Sequence, residues 1–214
     1  MSRDRRDRAV RPLAAGREPA AIERLRRDAE GCRNCELWAR ATQVVFGRGP
    51  GRARMMLVGE QPGDAEDRAG EPFVGPAGRV LQEALDAAGL DASAVYVTNA
   101  VKHFYWEERG KRRIHKKPRQ SHVNACRPWL EAEVHALRPA VIVCLGSVAA
   151  QAVIGRHVRV TRDGGVALPS TFGIPAFATI HPSAVLRAPD PEARAAGRAR
   201  LVEDLRAAAR SAGL

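Results

Sequence analysis

Met55-Met56-Leu57-Val58-Gly59-Glu60-Gln61-Pro62-Gly63 is the stretch that decides the fold. Four consecutive apolar side chains leave no polar face, so the run reads as a strand buried on both sides that ends in a turn at Gly59. The pattern recurs. Val95-Tyr96-Val97-Thr98 and Ala140 to Leu145 read as strands, and a further strand lies within Ile174 to Ile180. Helical periodicity marks Ala20 to Glu30, Ala77 to Ala88 (closed by Gly89), Ser121 to Leu137, Ser147 to Ile154 and Pro191 to Ala212. Pro128, inside the third of these, predicts a kink or a break. Strands alternating with helices predict an α/β fold, with a parallel sheet covered on both faces. Such sheets bind ligands beyond the carboxyl ends of their strands. The residues to inspect are therefore Gly59 to Gly63, Asn99, Gly146-Ser147 and His181-Pro182-Ser183.

The chain has 214 residues and a net charge of +11. That length predicts one domain over residues 19–214, behind a flexible Arg-rich tail over residues 1–18. The charge suggests an anionic partner such as nucleic acid, although an arginine-rich surface is also compatible. The lysines, Lys102, Lys111, Lys116 and Lys117, all fall in one short stretch. The longest apolar run is too short to span a bilayer, and the first residues alternate Arg and Asp without an apolar segment. The expectation is a cytoplasmic protein with no membrane partner. Its four cysteines then point to metal or catalysis rather than disulfides.

Several segments carry candidate chemistry, each beside a plainer alternative. Glycines around Glu60 and Gln61 let backbone approach a ligand, or serve a tight strand-to-helix turn. Phe73, in the Gly/Pro-rich stretch Gly70 to Pro76, could stack on a flat ring or fold over the core. Asn99 could present donors and an acceptor to a base edge, or serve a turn. His181 could donate to charge on a leaving group, or be structural. Cys32 and Cys35 form a chelating pair, while Cys126 and Cys144 are widely spaced. That spacing leaves an iron–sulfur cluster, zinc and buried thiols open. Lys111-Arg112-Arg113-Ile114-His115-Lys116-Lys117-Pro118-Arg119 has six basic residues and no acid. It reads as a phosphate-binding loop or as one that also holds a nucleophile, because neighbouring cations favour a neutral His115 with a free lone pair.

Taken in order, Gly59 to Gly63, Gly70 to Pro76, Val97 to Phe104 and His181 to Ser183 resemble the motifs of family 4 uracil-DNA glycosylases. Lys111 to Lys116 resembles the insertion that marks the UdgX branch, and Gln61 also matches that branch where family 4 usually has Ala. The resemblance runs from about Cys32 to the terminal helix. It implies a three-layer α/β/α fold around a four-stranded parallel sheet and a structural 4Fe-4S cluster on Cys32, Cys35, Cys126 and Cys144. It further implies that uracil is flipped from DNA, preferably single-stranded, onto Phe73 and Asn99, with Gln61 seating the base and Asp64 positioning a water or a side chain. His181 would stabilise the departing uracil, and His115 would bond to the sugar C1′, with Glu60 orienting or deprotonating His115 or holding the intermediate. Lys111, Arg112, Arg113, Lys116, Lys117, Ser183 and Arg187 would contact DNA. No obligate protein partner is expected, and the protein would act as a monomer on the bacterial nucleoid. The alternatives are a conventional turnover family 4 enzyme and a non-catalytic iron–sulfur protein that binds DNA.

Overall fold

A computed structural model describes residues 18–214. The tail expected over residues 1–18 lies outside the described residues but for its last one. In chain order the elements are α1 (Glu18–Glu30), β1 (Met55–Gly59), α2 (Asp64–Ala69), α3 (Pro76–Ala88), β2 (Val95–Asn99), β3 (Trp106–Arg109), β4 (Arg112–His115), α4 (Gln120–Leu137), β5 (Val141–Leu145), α5 (Ser147–Val153), α6 (Val160–Asp163), β6 (Ala167–Pro169), β7 (Pro175–Thr179), α7 (Pro182–Leu186) and α8 (Pro191–Ala212).

The sheet has the order β2-β1-β5-β7-β6. Its first four strands are parallel, as expected; three-residue β6 adds an antiparallel edge against β7. Alternate residues serve opposite faces. Met56, Val58, Tyr96, Ile142, Cys144, Ala176 and Ala178 pack with α1, α4 and α5. Met55, Leu57, Val95, Val141, Val143, Leu145 and Phe177 pack with α3 and α8. All five residues of β1 and of β5 are buried, which is why both read as unbroken apolar runs. Among the described residues no helix is long and apolar enough to cross a membrane.

Pro128 does not break α4, which runs uninterrupted for 18 residues. Proline removes one backbone donor, but Cys126, Trp129, Leu130, Glu133, Val134 and Leu137 bury a stripe around it that holds the helix on the sheet. That stripe contains an ion pair. The Lys102 Nζ lies 2.5 Å from Glu133 Oε2, both side chains are fully buried, and Lys102 also donates to the Asn99 carbonyl at 2.8 Å. Tyr96 Oη and the Gly47 amide donate to Glu133 Oε1 at 2.9 and 3.2 Å. The network ties α4 to the carboxyl end of β2.

Removing one partner of a buried pair leaves an uncompensated charge and typically costs about 3–5 kcal/mol. Glu133→Ala is therefore expected to lower stability by about that much, read as a loss of thermal midpoint by far-UV circular dichroism. A variant that melts with the parent would remove this network from the fold's foundations.

Candidate active site

The carboxyl ends of β1, β2, β5 and β7 bring their following residues together. Gly59 closes β1 with no side chain, and a Cβ there would collide with Asn99 Oδ1 and lie 2.7 Å from the Phe73 ring. Asn99 ends β2 and is buried. Phe73 has φ of +58°, a left-handed conformation that costs a bulky residue free energy and turns the ring back over Gly59. Gly78 in α3 permits that turn, because a Cβ at 78 would strike the Phe73 carbonyl. The ring lies nearly parallel to that of His181, at 6.2 Å between centroids and 28° between planes. Phe73, from the loop between α2 and α3, thus meets Asn99 and His181, which follow β2 and β7, above Gly59.

His181 caps α7. The Ser183 backbone amide donates to its Nδ1 at 3.1 Å, and Ser183 Oγ lies 2.7 Å from the same atom. Arg187 Nη1 donates to Ser183 Oγ at 2.9 Å. A backbone N–H can only donate, so Nδ1 is the acceptor and a neutral ring carries its hydrogen on Nε2. Burial first, then the charges of Arg187 and His115, pushes the His181 pKa down to about 4. His181 is therefore a neutral donor. Ser183 and Arg187, expected at DNA, also set the state of this imidazole.

His115 sits at the end of a two-stranded hairpin, β3 paired antiparallel with β4, that sequence periodicity did not reveal. Its Nε2 lies 3.7 Å from Glu60 Oε1 and its ring 6.0 Å from that of Phe104. Burial, followed by the charge of Arg187, lowers its pKa. Burial raises the pKa of Glu60, against the opposing charges of Lys117 and Arg187.

The hairpin is latched to the loop after β1 and to α2. Gln61 binds the base of the hairpin: its Nε2 donates to the carbonyls of Tyr105 and Lys116 at 3.1 and 3.0 Å, and its Oε1 accepts from the Tyr105 amide at 3.3 Å. Asp64 pairs with Arg113 and Arg68, and so positions the Arg113 side chain. Arg113 donates to Asp64 at 2.5 Å and to Asp67 at 2.6 Å, and its guanidinium lies 5.4 and 5.5 Å from the Phe104 and Trp106 rings. Trp106 Nε1 donates to the Arg40 carbonyl. Lys116 pairs with Glu107 within the hairpin. Lys111, Arg112 and Lys117 are exposed. Glu66 holds the neighbouring loops together, accepting from the amides of Gly63 and Gly75 at 3.1 and 2.8 Å. Its one sequence signal is position: it falls three residues after the helix cap Gly63. Nothing in the sequence distinguishes Asp67.

Three of the cysteines converge on one region. Cys35 and Cys126 share a hydrogen bond, which is the main cause of a Cys35 pKa lowered to about 6. Cys126 Sγ accepts from the Lys102 amide at 3.4 Å, and Cys32 Sγ from Trp129 Nε1 at 3.1 Å. Cys144 is different. It lies inside β5, opposite Val58 and Ala178, and burial pushes its thiol well up. Among the described residues no three His, Cys, Asp or Glu side chains close on a single metal ion.

If the latch holds the hairpin, Arg113→Ala should speed amide hydrogen exchange over residues 106–115 while leaving protection of β1 and β5 unchanged. Equal exchange in variant and parent would mean the hairpin is held by other contacts.

A sequence profile for the uracil DNA glycosylase superfamily matches residues 46–206. The type-4 uracil-DNA glycosylase of Archaeoglobus fulgidus is 36% identical over 176 residues, covering 79% of this chain and 85% of that protein. The type-4 enzyme of Sulfurisphaera tokodaii is 30% identical over 178 residues, 79% and 78% of the two chains. The type-5 uracil-DNA glycosylase of Pyrobaculum aerophilum is 30% identical over 169 residues, 71% and 70%. With that match spanning most of the chain, and with the post-strand residues gathered over one bare glycine, the chain belongs to the uracil DNA glycosylase superfamily.

Proposed function

We propose that this protein excises uracil from DNA and then bonds to the abasic sugar through His115. The observation that carries the second half is the position of His115, 3.7 Å from Glu60 on a latched hairpin beside the Gly59 pocket. A single strand is the favoured substrate, since it avoids the cost of unpairing the base. Uracil would lie against Phe73 with its polar edge on Asn99. Lys111, Arg112 and Lys117, together with Arg187, would meet phosphates.

In the reaction, the bond between C1′ and the uracil N1 breaks and its electron pair leaves with uracil. The Nε2–H of His181 donates to the uracil oxygen as negative charge grows there. The sugar is left as an oxocarbenium ion, stabilised by the Glu60 carboxylate. A lone pair of the neutral His115 ring then forms the N–C1′ bond, and the positive charge passes to the imidazole, again beside Glu60. The proton on the second ring nitrogen is available to solvent afterwards.

We further propose a structural 4Fe-4S cluster. Cys32, Cys35 and Cys126 suit it: they gather at one place without closing on a single ion, and a cubane separates its ligands more widely than one zinc does. The cluster would pin the Cys32–Cys35 loop to α4 and supply no step of the chemistry above. A conventional turnover enzyme is the second reading, favoured by the type-4 relatives. Both readings give one polypeptide domain over residues 19–214.

Incubation with single-stranded DNA containing uracil, followed by a denaturing gel, separates the two readings. Covalent capture gives a band that survives heat and detergent; its absence, with free uracil in solution, would establish turnover. His115→Ser should lose the band and still release uracil. Gly59→Ala should lose both, because the methyl group fills the space between Asn99 and Phe73.

Capture should also have a shifted pH profile. A neutral imidazole is needed, and the His115 pKa lies below the ordinary 6.5. Single-turnover adduct formation at pH 6.5 should therefore exceed half its plateau rate, and should fall as pH drops further and the ring protonates. A midpoint at or above 6.5 would contradict that environment.

A further inference from the structure

We propose that the cavity beyond β5 is a phosphate subsite, in which Arg156 and Arg159 hold the backbone of the DNA strand that carries the uracil; the proposal rests on the excision reading above.

The cavity lies between the start of α5 and the segment entering α6. Its volume is about 480 Å³, and Ser147, Gln151, Arg156, Arg159 and Thr161 are among the residues that line it. The lining is chemically one-sided. Two guanidinium groups supply positive charge, three neutral side chains supply donors, and no carboxylate lines the space among the described residues. No acid among them pairs with Arg156 or Arg159 either: Arg159 Nη1 donates to backbone carbonyls, those of Arg156 at 2.9 Å and Val158 at 3.4 Å. The acid nearest in sequence, Asp163, is taken by Arg162 at 2.7 and 2.9 Å and by the Arg159 amide at 2.8 Å. Arg113, by contrast, is consumed by Asp64 and Asp67. Open guanidinium groups beside neutral donors match a phosphodiester, whose oxygens accept from several N–H and O–H groups at once.

Place ties the cavity to the base pocket. Ser147 follows Gly146, and Gly146 packs so closely on His181 that a Cβ there would lie 3.0 Å from the His181 Cβ. In the sheet, β1 runs between β2 and β5. The hairpin with Lys111, Arg112 and Lys117 follows β2, and the cavity follows β5, so two cationic regions lie on either side of the Gly59 pocket. A strand whose uracil enters that pocket passes from one region to the other. The segment that carries the arginines is also anchored. Val158 is buried, and the Val160 carbonyl accepts from Arg200 Nη2 at 2.6 Å. A preformed site loses less free energy to ordering when its ligand binds.

The test neutralises one phosphate at a time. Single-stranded DNA carries one 2′-fluorodeoxyuridine, which resists cleavage because fluorine disfavours positive charge at C1′. Each flanking phosphate in turn is replaced by a neutral methylphosphonate, and dissociation constants are read by fluorescence anisotropy over a range of salt. In the parent, a phosphate on one side of the uracil should be found whose neutralisation weakens binding several-fold. In Arg156→Gln, neutralising that same phosphate should cost nothing further. The slope of log K against log salt should fall by about 0.7, as expected for one lost contact to a single strand. Arg156→Lys should keep the slope, because a point charge suffices for it. Arg210→Gln removes the same charge in the last turn of α8, whose end contacts Arg54 just before β1, at the opposite edge of the sheet. It should leave the phosphate pattern as in the parent. The Arg156 side chain is exposed and makes no hydrogen bond among the described residues, so its variants should melt with the parent by circular dichroism. A parental slope in Arg156→Gln, or a loss spread evenly over every phosphate, would overturn the subsite. If the parent binds the uracil strand no more tightly than one with thymine, the excision reading itself falls, and the subsite with it.

Discussion

The pocket exists because β1 ends on a residue without a side chain. A methyl group at Gly59 would press on both Asn99 and Phe73, two of the three groups that meet there. Each of those groups is fixed from elsewhere. Asn99 is held by the buried network of Lys102, Thr98 and Glu133, which anchors the end of β2 to α4. Phe73 is held in a left-handed turn by the close approach of Gly78. His181 is held by its cap on Ser183. The free energy for strain at Phe73 and for a fully buried ion pair comes from the two apolar layers that flank the sheet.

The charge distribution follows from the same arrangement. The net charge of +11 invites the view that every Arg and Lys near the site waits for phosphate. Arg113 does not, because Asp64 and Asp67 consume it. It acts on position, fixing the strand that carries His115. Arg187 acts on protonation, since its charge helps keep both His115 and His181 neutral. Basic residues here hold a loop and set imidazoles as well as attract an anion.

The strands and long helices were legible because their signals are local. Unbroken apolar runs mark β1 and β5, and glycine caps or a 3.6-residue period mark α3 and α8. What was not legible depends on contacts far apart in sequence. The β3–β4 hairpin has mostly exposed residues and no alternation, and it is ordered by Gln61, Asp64 and Asp67, roughly fifty residues upstream. Read one position at a time, Gln61 and Asp64 look like pocket residues because they follow a strand. Only the fold shows that their side chains turn to the hairpin. Pro128 shows the limit of a local rule: of the kink or break it predicts, the break does not occur, because a buried stripe holds the helix together. Cys144 joins the other cysteines by residue type, and the fold places it inside β5, in the layer that also holds Cys32 and Cys126.

The two readings of the reaction differ at one place, the space between Glu60 and the sugar. A turnover enzyme needs a water there, held by a carboxylate that can accept its proton. In this protein the group beside Glu60 is an imidazole, at 3.7 Å, on a hairpin fastened at both ends. An imidazole so placed would compete with water for the sugar, and a neutral ring has the lone pair that such an attack needs. A cation formed beside Glu60 would be offset by its carboxylate, against the charge of Arg187 on the same side of the site. Water attack ends with a neutral alcohol and a proton to dispose of. Attack by His115 would end with an imidazolium next to Glu60, whose carboxylate would offset a charge that burial and Arg187 otherwise disfavour there.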